Sequence, residues 1–543
     1  MKSLKSFFCF VFCWLIISTQ QSFSQETAAS PDSLKEIQIL SAEKLEFVKV
    51  NDSTQLQILA GKVRLKQGNT FFDCDSCVIN NRIHLFEAFG KVHINDADTT
   101  NVHSNHLRYL IDKKVAYLDG NVSLTDGKAT LTTPELEYDV DTKLGIYTKG
   151  GKLVNNKTII TSKEGYYYTD LKDIYFKKDV ELKDPAYYLK TDSLLINTQT
   201  EIARFIAETF IRDSSGKTIT ASEGYYDTHN RKAEFGGHAV IKDGPRTYSA
   251  NTIRDDDSLG VTEFTGNAII RDSIEGQTVI AGKILRDKKA ESFLAFNKPL
   301  MIVKQEEDSI YITADTLFSA RLTDLYGSRD SLRMDTVKGV KVVDVKNKDS
   351  TNRYFEAYYH VRIFSDSLQS VCDSMFYSFK DSVFRLYKDP IVWSKENQIT
   401  GDTILLFTKN KKADRLKVFD NSFLVNQVKG DFFNQVKSAR MDGYFFEGSL
   451  DSVKARGFAE CIYYVQDEDS AFTGINQSTS DAIDIYFGLD TTGKNKELQK
   501  VVFRTAVKGT LWPMRSKTSE EMRLENFHWL EIRRPKTKYE LYQ

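Results

Sequence analysis

The densest group of reactive side chains in the chain is Cys74-Asp75-Ser76-Cys77, a spacing that suits a redox pair or half of a zinc site. Eight histidines, His84, His93, His103, His106, His229, His238, His360 and His528, are the other candidates for metal or proton chemistry. None lies in an HExxH pattern or is paired with a nucleophile. Asp73 with Asp75, and the run Asp255-Asp256-Asp257, are of the type used by hydrolases or calcium sites. They fall in or beside turn sequences, where Asp is favoured for hydrogen bonds to its own backbone. The sequence carries no phosphate-cradling glycine loop, dinucleotide fingerprint or nucleophile elbow. The expectation is a protein that is not an enzyme, with no catalytic residue, cofactor or metal. A lyase or hydrolase working in the groove of a β-helix is the enzymatic class that the pattern of strands leaves open.

The elements that carry these residues follow a repeat of about 30 residues. One signature runs small or polar, small, polar, any, apolar, any, aromatic, as in Ser41-Ala42-Glu43-Lys44-Leu45-Glu46-Phe47 and Thr132-Thr133-Pro134-Glu135-Leu136-Glu137-Tyr138. Its small slot recurs at Ala42, Cys74, Ser104, Thr133, Ser162, Thr191, Ala221, Ala250, Ala281 and Ala314, at spacings of 29 to 33. The other signature is Gly, a polar residue and an alternating apolar pair: Gly61-Lys62-Val63-Arg64-Leu65, Gly90-Lys91-Val92-His93-Ile94, Gly120-Asn121-Val122-Ser123-Leu124. Alternation of this kind places Val63 and Leu65 on one face of a strand and the charged residues on the other. Each unit thus reads as strand, turn, strand, turn, with a charged outside and an apolar inside. Within it Cys74 takes the small slot, as Cys372 does, and Cys77 takes the apolar slot of Leu45 and Leu107. Residues three apart on a regular strand face opposite ways, so the two cysteines are read as structural. A disulfide suits a secreted chain, and the spacing does not fix its pairing.

Lys2 and Lys5, the apolar run Phe7–Ile17 and the small residues Ser22 and Ser24 read as a cleavable leader at 1–24. Cys9 and Cys13 lack a lipoprotein cleavage context. No later stretch reaches the ~18 apolar residues of a spanning helix, so the mature chain is expected to be soluble and outside the cytoplasm. Its 74 basic and 75 acidic residues balance, which excludes the basic footprint of a nucleic-acid binder. A first β array covers 25–322, a polar insertion or loop 323–353, a second array 354–505, and a cap or docking tail 506–543. A helical period is found only in the leader and in a short polar stretch near Glu520. The charge-dense outer face argues against a lipid-facing barrel.

The Ala-Asp/Glu-x-Leu-x-Phe/Tyr unit at Ala42–Phe47, followed by Gly-x-Val-x-Leu/Ile at Gly61, Gly90 and Gly120, resembles the OstA-like domain of the LptA family of lipopolysaccharide-transport proteins, over 37–320 closely and 354–500 loosely. This domain also forms the N-terminal part of LptD, whose barrel has no counterpart in this sequence. The resemblance implies an all-β fold, an elongated repeat β-jelly roll of two facing antiparallel sheets forming a groove. It implies a periplasmic bridge carrying lipopolysaccharide or a related lipid towards the outer membrane, with lipid A acyl chains in the groove. Inner-membrane LptC-like and outer-membrane LptD-like proteins would be its partners, with head-to-tail self-association through free strand edges. The groove would be lined by Leu45, Phe47, Val63, Leu65, Val92, Ile94, Leu107, Tyr109, Val122, Leu124, Leu136 and Tyr138, each of which, taken alone, reads more readily as simple core than as a ligand contact. The rival expectation is a structural or adhesive β-solenoid with a fully packed core.

Overall fold

A computed structural model describes residues 36–542 apart from 53, 98–99, 305–308, 324, 326–352, 410–411, 468–470 and 490–495. The leader and nearly all of the 323–353 insertion therefore lie outside the described residues. Most of the rest, up to Trp512, is built of antiparallel strands, the all-β architecture expected from the repeat. Among the described residues no helix is long and apolar enough to cross a membrane. The polar stretch near Glu520 is not helical: its side chains close isolated turns, with Thr518 N–H and Oγ1 both donating to Glu521.

The chain forms two compact units, one containing the described residues up to 127 together with 134–143, the other containing 128–133 and 144–542. In the first, the strands Thr54–Gln67, Thr70–Asn80, Leu85–Asp96, Thr100–Leu110 and Val115–Thr125 pair in sequence order. Each ladder breaks near its middle: Ala60 pairs with Ser76 and Val63 with Cys74, but nothing pairs between them. At that break Gly61 and Lys62 have φ of 81° and 47°, and Gly90 and Lys91 have 74° and 45°. Two successive left-handed residues turn the strand through a corner, so every strand contributes one arm to each of two facing walls. The small slot lies opposite the corner, as in Val63 with Cys74 and Val92 with Ser104.

The second unit repeats the device without depending on glycine. Corner pairs there include Lys178-Asp179, Gly266-Asn267, Tyr359-His360 and Asp420-Asn421, all at positive φ, each interrupting a ladder at the equivalent point. The strand Lys508–Trp512 pairs with Phe472–Leu489 and carries the array through Trp512.

Residues beyond Trp512 dock on one outer wall, which corrects the expectation of a charged outside. Across that wall Gln369, Trp393, Gln398, Val425, Gln435, Ile462 and Gln477 are consecutive ladder partners, a row alternating glutamine with an apolar residue. The tail lies on this row. Gln435 Nε2 donates to Met522 O and its Oε1 accepts from Leu524 N–H; Gln398 binds His528 O and Leu530 N–H in the same way. Arg534 donates to Gln369 Oε1. Between the glutamines, Met522, Leu524, Phe527 and Trp529 pack on Phe423, Val425, Phe433 and Tyr464, and Leu530 on Trp393. Both faces of Ile391–Ser394 are consequently buried.

Candidate functional site

The space that a ligand would use lies between the two arms. In the first unit ten of the twelve groove positions, Val63, Leu65, Val92, Ile94, Leu107, Tyr109, Val122, Leu124, Leu136 and Tyr138, are buried and face inward. Leu45 and Phe47 are 45% and 57% exposed, because the strand Lys44–Asn51 lies along one side of Thr54–Gln67 with no described strand beyond it. Side chains from the two arms meet across the interior. The ring of Tyr109 is 4.8 Å from Phe72 and 5.0 Å from Phe86, and Phe72 meets Phe86 edge-on at 5.2 Å.

Opposite the corners, polar bridges tie the arm ends together. Tyr109 Oη donates to Gln67 Oε1 at 2.6 Å. One repeat later Tyr138 Oη donates to Asp96 Oδ2 at 2.8 Å, while Lys143 and Thr70 also donate to Asp96. Burial, followed by the charges of Asp141 and Asp96, pushes the Tyr109 phenol above its ordinary pKa, so it stays a donor. These rings and bridges occupy the interior and the mouth of the first unit at Phe72, Phe86, Tyr109 and Tyr138.

In the second unit the interior holds open space. A cavity of about 370 Å³ lies at the arm ends, with Arg246, Tyr248, Asp272 and Val279 from one wall and Arg286, Phe293, Arg353 and Phe379 from the other. It shares Glu275, Gln277 and Phe379 with a cavity of about 80 Å³ among Met301, Val303, Ile312, Phe355 and Tyr377. That cavity shares Ile310, Phe384 and Thr408 with a third, of about 40 Å³, against Ile363, Leu368 and Leu406. The three follow one another between the walls, apolar within and polar at the first mouth. The first is of the size of ordinary small-ligand sites.

The sequence reading named no residue of this row. One signal was present: the position five after the small slot, Tyr109 and Tyr138 where the mouth is pinned, is Arg286 in the unit where it opens. A second correction concerns the cysteines. The corner between Cys74 and Cys77 resets the alternation, so both point inward and both are buried. A hydrogen bond that the Cys74 thiol makes to Cys77, followed by burial, raises the Cys74 thiol well above the usual range. All four described cysteines are free. Among the described residues no group of three or more His, Cys, Asp or Glu is placed to hold a metal ion.

Residues 35–192 match the family described as OstA-like protein. That match supports the family resemblance carried by the repeat over those residues. No curated protein matches the chain.

Proposed function

We propose that this chain is a lipid-binding carrier that shelters acyl chains between its two walls and acts by binding, not by catalysis. Lipopolysaccharide or a related lipid is its cargo, and the periplasm is its place of work. The observation that carries this reading is the linked row of apolar cavities from Tyr248 to Leu406. Burial of acyl chain there contributes about 0.8 kcal/mol per methylene, so a modest length of chain supplies micromolar binding without any polar contact.

The N-terminal strand supports a docking role. Leu45, Phe47, Val48 and Val50 are exposed on Lys44–Asn51, and a strand edge of this kind is a template for another strand. An LptC-like or LptD-like partner, or a second copy, is the proposed occupant.

The test is mass spectrometry of lipid extracted from the purified protein, with photo-crosslinkers at Met301 and Ile312 inside the cavities and at His360 on the exposed corner. Lipid should co-purify and label the first two sites only. Equal labelling at all three, or no lipid, overturns the reading. A second reading, a structural solenoid, has one observation in its favour, the filled and bridged interior of the first unit. It predicts no lipid at Met301 or Ile312.

A further inference from the structure

The mouth of the first cavity differs from the rest of the row in its arginines. Arg246 is paired with Asp272 at 3.0 Å, and Asp272 also accepts from the backbone N–H groups of Ile274 and Glu275. Glu291 faces Arg321 at 3.7 Å. Those carboxylates are occupied, and Glu275 is exposed at the rim. Arg286 lies over the ring of Tyr248, 4.8 Å from its centre, and has no carboxylate within ion-pair reach among the described residues. Arg353 is similarly without an ion pair among them. Its guanidinium donates to Glu291 O at 2.7 Å and to Ser319 Oγ at 3.4 Å.

Two guanidinium groups thus face one cavity, one from each side of the chain's central break, without carboxylate partners. Burial, and after it the positive charge of Arg246, works against the charge on Arg353, which the carboxylates of Glu291 and Asp272 offset only in part. An anion brought into the mouth relieves that repulsion and finds fork-shaped donors suited to its oxygens. Behind it the walls become apolar, with Val279 and Phe293 and then Met301 and Ile312.

We infer that Arg286 and Arg353 form a binding site for the phosphate group of an amphiphile whose acyl chains lie in the adjoining cavities. This rests on the proposed lipid reading and adds a headgroup to it. The phosphate is recognised as a tetrahedral dianion held from two sides. Tyr248 keeps Arg286 in place by stacking, as the backbone oxygen of Glu291 keeps Arg353.

The experiment measures binding of fluorescent phosphatidic acid and of diacylglycerol with the same chains, each in neutral detergent micelles, to the full mature protein. Phosphatidic acid should bind at least about tenfold more tightly. The preference for phosphatidic acid over diacylglycerol should vanish in R286Q and in R286Q/R353Q, with circular dichroism confirming the fold. R286K should keep part of it. Equal binding of the two lipids by the wild type overturns the headgroup site and leaves the lipid reading standing; so does a preference that survives in R286Q/R353Q. Binding of neither lipid overturns the lipid reading and the headgroup site with it. Inorganic phosphate should compete only at concentrations at least about a hundredfold higher than phosphatidic acid. Competition at equal concentration marks a site for soluble phosphate and overturns the assignment to a lipid.

Discussion

Replacing Gln435 by alanine should release the C-terminal tail while leaving the array folded. Gln435 is 1% exposed, and its carboxamide makes two hydrogen bonds to tail backbone, 2.9 Å to Met522 O and 2.8 Å from Leu524 N–H. Met522 and Leu524 are themselves 2% and 8% exposed. Truncation therefore leaves a buried donor and a buried acceptor unmatched, at about 1–3 kcal/mol each. Partial hydration of the vacated space favours the lower half of the sum, about 3 kcal/mol. That corresponds to a more than hundredfold rise in the opening equilibrium of the tail. Hydrogen exchange read by mass spectrometry should show peptides from 513–542 exchanging faster by that factor. Peptides from 54–125 should be unchanged, because stability in a repeat array is local. Gln435→Glu keeps the acceptor for Leu524 N–H but buries a carboxylate oxygen against Met522 O and Phe433 O, and should open the tail at least as far as alanine does. Unchanged tail exchange in Gln435→Ala would refute the assignment of docking to the glutamine row. Equal acceleration in 54–125 would refute its locality.

Gly165→Ala should destabilise the second unit by about 1–3 kcal/mol, since a Cβ there would sit 2.4 Å from the Tyr147 ring; a lowered urea midpoint with unchanged slope is the readout. Tyr138→Phe should cost about 1–3 kcal/mol by unpinning the buried Asp96, and a melting temperature equal to wild type would count against the bridge. Burial pushes the thiols of Cys372 and Cys461 up to about 12, so both should resist iodoacetamide at pH 8 in the native protein and react in urea, as counted by intact mass. The same shift sets a sign with pH. Between the unfolded thiol value of about 8.5 and 12 the unfolded state has lost protons that the folded state keeps, so stability should fall as pH rises through that window. Cys372→Ala/Cys461→Ala should flatten that slope in denaturation curves.

The strands and their inward faces were legible because each wall is apolar on one side, which leaves period-two alternation in the sequence. The corner was visible only in part. Gly61 and Gly90 marked it in early copies, but Tyr359-His360 and Asp420-Asn421 make the same turn, since the repeat requires left-handed backbone there and not a glycine. For that reason Cys74 and Cys77 were assigned to opposite faces: alternation was counted straight through a bend. The tail's docking wall was hidden differently. A glutamine on an outer face leaves no mark in the sequence, yet Gln398 serves the backbone of His528 and Leu530 and Gln369 accepts from the Arg534 guanidinium, each more than a hundred residues away. The cavities were illegible because open space depends on the sizes of side chains facing one another across the walls. No one-dimensional pattern records that pairing.

The reach of these contacts along the chain also sets an order in time. Within the array, strands pair with neighbours a few tens of residues away, and the cross-arm bridges Gln67–Tyr109 and Asp96–Tyr138 each close over 42 residues. Contacts so local form before the long-range ones, so the walls can assemble progressively as a chain emerges from a ribosome. The bonds from the tail to Gln398, Gln369 and Arg362 close over 130 to 178 residues. They can form only when everything between has been made and stacked. A chain lacking residues 513–542 would present Trp393, Phe423 and Phe433 bare, and a protease or chaperone that binds exposed apolar surface would distinguish it from a chain whose tail is docked.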